Sequence, residues 1–212
     1  MQLAKSTQST TGETKTDTQL FFQAVREEKI DVIKSLIQNG VDVNTENDGG
    51  FTALHYAGIF GNAEVVQFLV SQGANVNTKN KNGRNPLHLA MIHKKYETVK
   101  YLAQHGTDID TKDIEGKTSL DWALEQNNVE IAQFLVSRGA DVHSKDEYGK
   151  TRLHRAVENE RDVDYIRCLV TIGADIVGKD NDCNTPLDLA EEKDSTEIVE
   201  YLTSVAQNRI ES

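Results

Sequence analysis

The sequence predicts an all-α solenoid, and three observations predict it. A block that starts at Gly50 recurs every 33 residues at Gly83, Gly116 and Gly149, then at Cys183 after one step of 34. Further columns keep step with it: Gly40, Gly73, Gly106, Gly139 and Gly173; Leu54, Leu87, Leu120, Leu153 and Leu187; Ala57, Ala90, Ala123, Ala156 and Ala190. Between these columns the apolar residues follow helical spacing, as in Val65, Val66, Leu69 and Val70. A fixed period of roughly 20–50 residues marks stacked repeats, each burying its core against its neighbours and leaving long surfaces free. Such a surface favours binding over catalysis.

Each element of residues 47–79 has a local cause. Asp48-Gly49-Gly50 reads as a turn, because glycine accepts positive φ. Thr52 can cap a short helix that carries Leu54 and Ala57 on one face, and small Ala57 lets helices approach closely. Gly61-Asn62 breaks that helix, and Asn62 caps a second one. Gly73 ends the second helix in a left-handed cap, after which Ala74-Asn75-Val76-Asn77 runs as an extended arm into the next turn.

Thr-x-Leu-His-x-Ala followed by Gly-Ala-x-Val-Asn at this period resembles the ankyrin repeat, over about residues 18–205. The resemblance implies helix pairs joined by short β-hairpin loops. It divides the chain into a disordered polar tail 1–17, a capping pair 18–46, repeats 47–79, 80–112, 113–145, 146–179 and 180–206, and a C-terminal tail 207–212. In the capping pair Phe21 and Ala24 stand in the columns of Leu54 and Ala57, and Asp17 is placed to cap the first helix. Gln23, Arg26, Glu27, Glu28 and Lys29 give that pair the polar surface a terminal repeat needs. The last pair lacks a closing glycine and mixes Glu197, Glu200, Thr203 and Ser204 with Ile198, Val199 and Leu202, so it reads as the opposite cap. The extra residue of the fourth repeat falls in Glu160-Arg161-Asp162-Val163 and predicts a longer interhelix loop. Lys94 and Asp194 replace interhelix glycines, and Asn127 can take the left-handed conformation in their stead.

With 23 basic and 34 acidic side chains the formal charge is −11. That argues against nonspecific nucleic-acid binding, which needs Lys and Arg against phosphate, and it favours solubility and a basic partner. No apolar run approaches the ~18 residues of a membrane span, and Met1 to Asp17 has no apolar segment of the secretory kind. Two cysteines are too few for a disulfide framework. Cys168 shares a column with Phe68, Tyr101, Phe134 and Tyr201 and reads as buried, while Cys183 replaces a turn glycine. The chain therefore reads as intracellular and cytoplasmic, with the nucleus or delivery into a host cell left open.

The chemistry-bearing residues form no catalytic pattern. His55, His88 and His154 share one column, a repeat or more apart, too far to share a metal ion at ligand distances of ~2.0 Å. The resemblance implies instead that they tie neighbouring hairpins by hydrogen bonds. Cys-x-x-Cys, His-Glu-x-x-His, EF-hand, Walker and Gly-x-Ser-x-Gly motifs are absent from the sequence, so no metal, cofactor or catalytic residue is expected. Glu191-Glu192, Glu158 and Glu160 read as solvated helix surface.

The resemblance places a partner surface on the hairpin tips and the exposed side of the first helices. Phe51, Ile59, Phe60, Ile92 and His93 fall there in the N-terminal half, either as a binding patch or as packing between repeats. Arg84 and Lys117 lie on the hairpin edge, and Trp122 either anchors a partner or covers Ala90 and Ala123. Glu125, Glu158 and Glu192 make the C-terminal half of the groove acidic, which favours a partner whose far end is basic. Lys79, Lys112, Lys145 and Lys179 read as pairing locally with the Asn80, Asp113, Asp146 and Asp180 that follow them. In animal relatives, asparagines placed like Asn44 and Asn77 can be hydroxylated. The expected function is a noncatalytic protein-interaction module, monomeric, acting as scaffold, adaptor or inhibitor on another protein. A bacterial or viral effector using the same groove on a host protein, and an enzyme or ligand-binding protein with an improvised site, are the alternatives.

Overall fold

A computed structural model describes residues 16–210, and the expected polar tail lies outside them except for Thr16 and Asp17. Twelve helices run as six antiparallel pairs among the described residues. The pairs are α1 (Asp17–Arg26) with α2 (Ile30–Gln38), α3 (Ala53–Phe60) with α4 (Ala63–Ser71), and α5 (Pro86–Ile92) with α6 (Tyr96–Gln104). Then come α7 (Ser119–Glu125) with α8 (Val129–Ser137), α9 (Arg152–Glu158) with α10 (Val163–Thr171), and α11 (Pro186–Glu192) with α12 (Thr196–Ile210).

The ends of these helices follow from single residues. Asn62 and Asn128 accept the amides of Val65 and Ile131 at the starts of α4 and α8. Gly73, at φ 84°, closes α4: its amide donates to Val70 at 3.0 Å, and the next amide, Ala74, donates to Leu69 at 3.0 Å. Where the interhelix glycine is lost, Lys94, Asn127, Glu160 and Asp194 all take positive φ between 50° and 57°. The extra residue of the fourth repeat does lengthen the α9–α10 loop, and Asp162 caps α10.

Three expectations are corrected. Thr16, not Asp17, caps α1: its hydroxyl accepts the Gln19 amide at 3.2 Å, and the Gln19 side chain accepts the Thr16 amide at 3.0 Å. The tail expected from residue 207 is helical through Ile210, because nothing after Leu202 breaks the helix and half-buried Val205 and Ala206 still pack on the core. The hairpin loops are short and build no sheet among the described residues, as the all-α class requires, and their only bridge there is Lys145 to Thr151. Each tip is organised by one Asn or Asp. Asp113 accepts the Glu115 and Lys117 amides at 2.9 and 3.0 Å, and Asn47, Asn80, Asp146 and Asp180 do the same in their own loops. These residues set the turn rather than pair with the Lys before them.

The first helices form one layer and the second helices another. Leu54, Leu87, Leu120 and Leu153 are fully buried between the layers, with Leu69, Leu102 and Leu135 beside them from the second helices. In the first layer α1 packs on α3, α3 on α5, α5 on α7 and α9 on α11; α7 and α9 alone among these neighbours lack comparable packing, and α10 reaches α7 instead. Cys168 is buried as expected, although Phe68, Tyr101, Phe134 and Tyr201 of its column are only half-buried, and burial pushes its thiol up to about 11. Cys183 takes φ 68° in place of glycine. No helix among the described residues is long and apolar enough to cross a membrane.

Candidate functional site: the groove of the first helices

The histidine column works as a set of cross-repeat ties. The His55 ring nitrogen Nδ1 accepts the Thr52 amide at 3.0 Å, so Nε2 carries the proton and donates to the Arg84 carbonyl at 3.0 Å. His88 reaches the Lys117 carbonyl at 3.1 Å and His154 the Asn184 carbonyl at 3.0 Å. Burial lowers the His55 pKa to about 4 against the opposing pull of the Arg84 and Thr78 carbonyls, and burial lowers His88 likewise. Asn44 and Asn77 are clips of the same kind. Asn44 donates to the Gly73 carbonyl at 3.1 Å and accepts the Asn75 amide at 2.7 Å; Asn77 does so with Gly106 and Asp108.

Two outlooks meet along the groove. At the N-terminal end the Tyr56 ring lies 5.5 Å from Phe51 and 5.6 Å from Phe22. Phe22, Tyr56 and 38% exposed Phe60 line an open concavity of about 800 Å³ with Gln19, Gln23, Arg26 and Glu27. The Asn47 amide donates to the Tyr56 hydroxyl at 2.9 Å, which fixes that ring. Sequence reasoning missed Phe22, because α1 lacks the Thr-x-Leu-His register that would have placed it beside Tyr56. Ile59 and Ile92 are half-buried near the ends of α3 and α5, and His93 is exposed at the α5 terminus.

Further along, the expected cations are already engaged. The Arg84 guanidinium pairs with Asp113 and Glu115, each at 3.1 Å, and Lys117 pairs with Glu125 at 2.9 Å. Both cations also lie over the Trp122 ring, at 5.3 and 4.5 Å from its centroid. Trp122 is half-buried against the core, so it covers the interior rather than standing free, and its Nε1 has no acceptor among the described residues. The predicted residues thus divide into an aromatic group around Phe51 and Phe60 and a cation–Trp group of Arg84, Lys117 and Trp122.

The acidic C-terminal half expected of the groove is overturned at two of its three positions. Glu125 is held by Lys117, and Glu158 by Lys150 and by Arg155, the latter at 2.9 Å. The hydrogen bond from Lys150 is the main cause that holds the Glu158 carboxyl below its ordinary range, and Glu125 raises Lys117 in the same way. Asp113 is also lowered: burial works against ionisation, but the Lys117 and Glu115 amides and Arg84 outweigh it. Glu125 and Glu158 are thus neutralised in place, whereas Glu192 is exposed and in no ion pair among the described residues. Among the described residues no group of three or more His, Cys, Asp or Glu could hold a metal ion.

A family model described as ankyrin repeats (3 copies) matches residues 21–113, 76–146 and 122–211. The chain belongs to the ankyrin-repeat family. No curated protein matches it in a sequence comparison. The ankyrin assignment agrees with the paired helices, the buried Leu and Ala columns and the histidine ties, and ankyrin repeats are generally protein-interaction modules.

Proposed function

We propose that this ankyrin array is a noncatalytic interaction module that grips another protein along the groove of its first helices and hairpin tips, as scaffold, adaptor or inhibitor. The aromatic concavity at the N-terminal end is the observation that carries the reading. Phe22, Tyr56 and Phe60 line it, Phe51 buttresses Tyr56, and Phe60 remains more than a third exposed. Aromatic side chains of this kind dominate interface energetics, at ~2 kcal/mol or more for each hot-spot truncation. Ile59, Ile92 and His93 extend the apolar surface, and Arg84, Lys117 and Trp122 form its second contact group.

The test is a pull-down from a lysate with wild type beside a Phe51→Ala, Phe60→Ala double variant, with a melting curve for each. Loss of a specific partner with an unshifted melt supports the reading. Unchanged capture, or a melt lowered by several degrees in the double variant, refutes it.

A further inference from the structure

We propose that the seam between the third and fourth repeats is a binding cleft for an extended acidic segment of the partner protein, a refinement that rests on the interaction-module reading above. Four observations make the seam unlike its neighbours. At the three other seams between hairpins a tip amide donates to the preceding tip: Lys81 to the Gly49 carbonyl at 3.0 Å, Ile114 to Asn82 at 3.1 Å and Asn181 to Tyr148 at 3.0 Å. The corresponding Glu147 amide and Glu115 carbonyl make no such bond. A Cβ added at Gly50, Gly83 or Gly149 would press on the next hairpin, whereas at Gly116 it would meet nothing within 4 Å. The first-helix packing also lapses here, between α7 and α9.

The fourth observation supplies the cause. The histidine column holds Asp121 at this seam. A carboxylate cannot donate to the Lys150 carbonyl as imidazole would. Asp121 instead accepts the Thr118 amide and hydroxyl, each at 2.8 Å, and Arg152 crosses the seam to pair with it. The hairpins therefore stand apart, and a trough of about 710 Å³ lies between them.

The chemistry of the trough selects its occupant. Among the described residues, Lys112, Lys145 and Arg161 line it without a carboxylate partner: Lys145 reaches only the Lys179 carbonyl, and Arg161 lies over the Tyr165 ring. The remaining cations of the lining are satisfied by the carboxylates beside them, so the surplus is positive although the whole chain is −11. Outside the trough's own lining, Ile114 is 71% and Tyr148 56% exposed on the two tips that flank the gap. The unused Glu147 amide and Glu115 carbonyl offer one donor and one acceptor to a peptide backbone, in the manner of strand addition. An extended segment with carboxylates for the cations and one apolar side chain for Ile114 or Tyr148 meets every one of these features. A nucleic acid meets fewer, since Arg155 already lies over the Tyr148 ring and the acidic body repels a long polyanion.

The test is fluorescence polarisation of the full chain against a fluorescein-labelled oligoglutamate peptide carrying one phenylalanine, at low and raised salt. Wild type should bind saturably and more weakly as salt rises. A Lys112→Gln, Lys145→Gln, Arg161→Gln triple variant, checked by its melt, should bind at least ~5-fold more weakly, since charge contacts at a partly enclosed site control association and retention. Asp121→His, which restores the missing donor, should weaken binding too. No saturable binding, an unaffected triple variant, or tighter binding of a single-stranded oligonucleotide than of the peptide overturns the proposal. The Phe51→Ala, Phe60→Ala variant should bind the peptide as wild type does. If it loses the lysate partner while wild type ignores the peptide, the module reading stands and the cleft falls; if the peptide binds while partner capture is indifferent to both phenylalanines, the cleft stands and the aromatic reading falls.

Discussion

Acidification should weaken this protein through His55 well before its carboxylates titrate. His55 is fully buried, and burial holds its pKa at about 4 against 6.5 for the free side chain. The unfolded chain therefore binds the proton more readily than the folded one between these values. The stability contributed by neutral His55 is complete above 6.5 and is lost as pH falls toward 4. The full shift of 2.5 units corresponds to roughly 3 kcal/mol, of which about 2 kcal/mol is gone between pH 7.5 and pH 5. His88 acts in the same direction. Neutralising the net charge of −11 works the opposite way by relieving self-repulsion. The measurement is therefore a difference: urea melts of wild type and His55→Gln, followed by circular dichroism at pH 7.5, 6 and 5. The stability advantage of wild type over the variant should shrink by about 2 kcal/mol across that range. An advantage that stays constant with pH, or a His55 imidazole that titrates near 6.5 by NMR, would refute the reasoning.

Other outcomes follow from packing and from the seam. Leu102→Ala and Leu135→Ala, both fully buried, should each cost ~2–5 kcal/mol in denaturant melts, and a change below about 1 kcal/mol would contradict their role. Gly83→Ala and Gly116→Ala share positive φ (69° and 77°), a backbone strain of ~1–2 kcal/mol for an L side chain, but only Gly83 also faces the next hairpin's backbone at 3.1 Å. Gly83→Ala should therefore be the more damaging in thermal melts, and equal costs would mean that the third and fourth hairpins touch after all. Hydrogen exchange should find the Glu147 amide faster than the amides of Lys81, Ile114 and Asn181, and equal protection would close the gap.

The architecture was legible because a period of 33 is imposed by stacking itself. Each Leu and Ala of the repeating columns must meet its counterpart one repeat on, so burial is written at fixed spacing. The groove was harder to read because its partners lie at other separations. Lys117 and Lys150 sit at the tip and Glu125 and Glu158 eight residues later at the far end of the first helix, and each pair closes on itself. In the second repeat Ile92 stands where the glutamate would be, which leaves Arg84 to reach Asp113 in the following hairpin. That offset was the signal for the neutralised carboxylates. Asp121 was equally visible as a departure, shared with Asp188, from the histidines of its column, but its effect lies in a hydrogen bond it cannot donate, and absences of that kind show only when the neighbouring carbonyl is in place.

The histidine ties and tip bonds are also nearest-neighbour couplings in a one-dimensional array, where cooperativity depends on every link being strong enough to make one repeat unfold with the next. A link that relies on Arg152 with Asp121, and on α10 against α7 and α8, is of a different kind from the others. Raised salt screens its charged part and leaves the buried imidazole ties untouched. The array should then separate into two cooperative blocks, with α9 to α12 melting apart from α1 to α8, so that ionic strength sets whether this chain unfolds in one step or two.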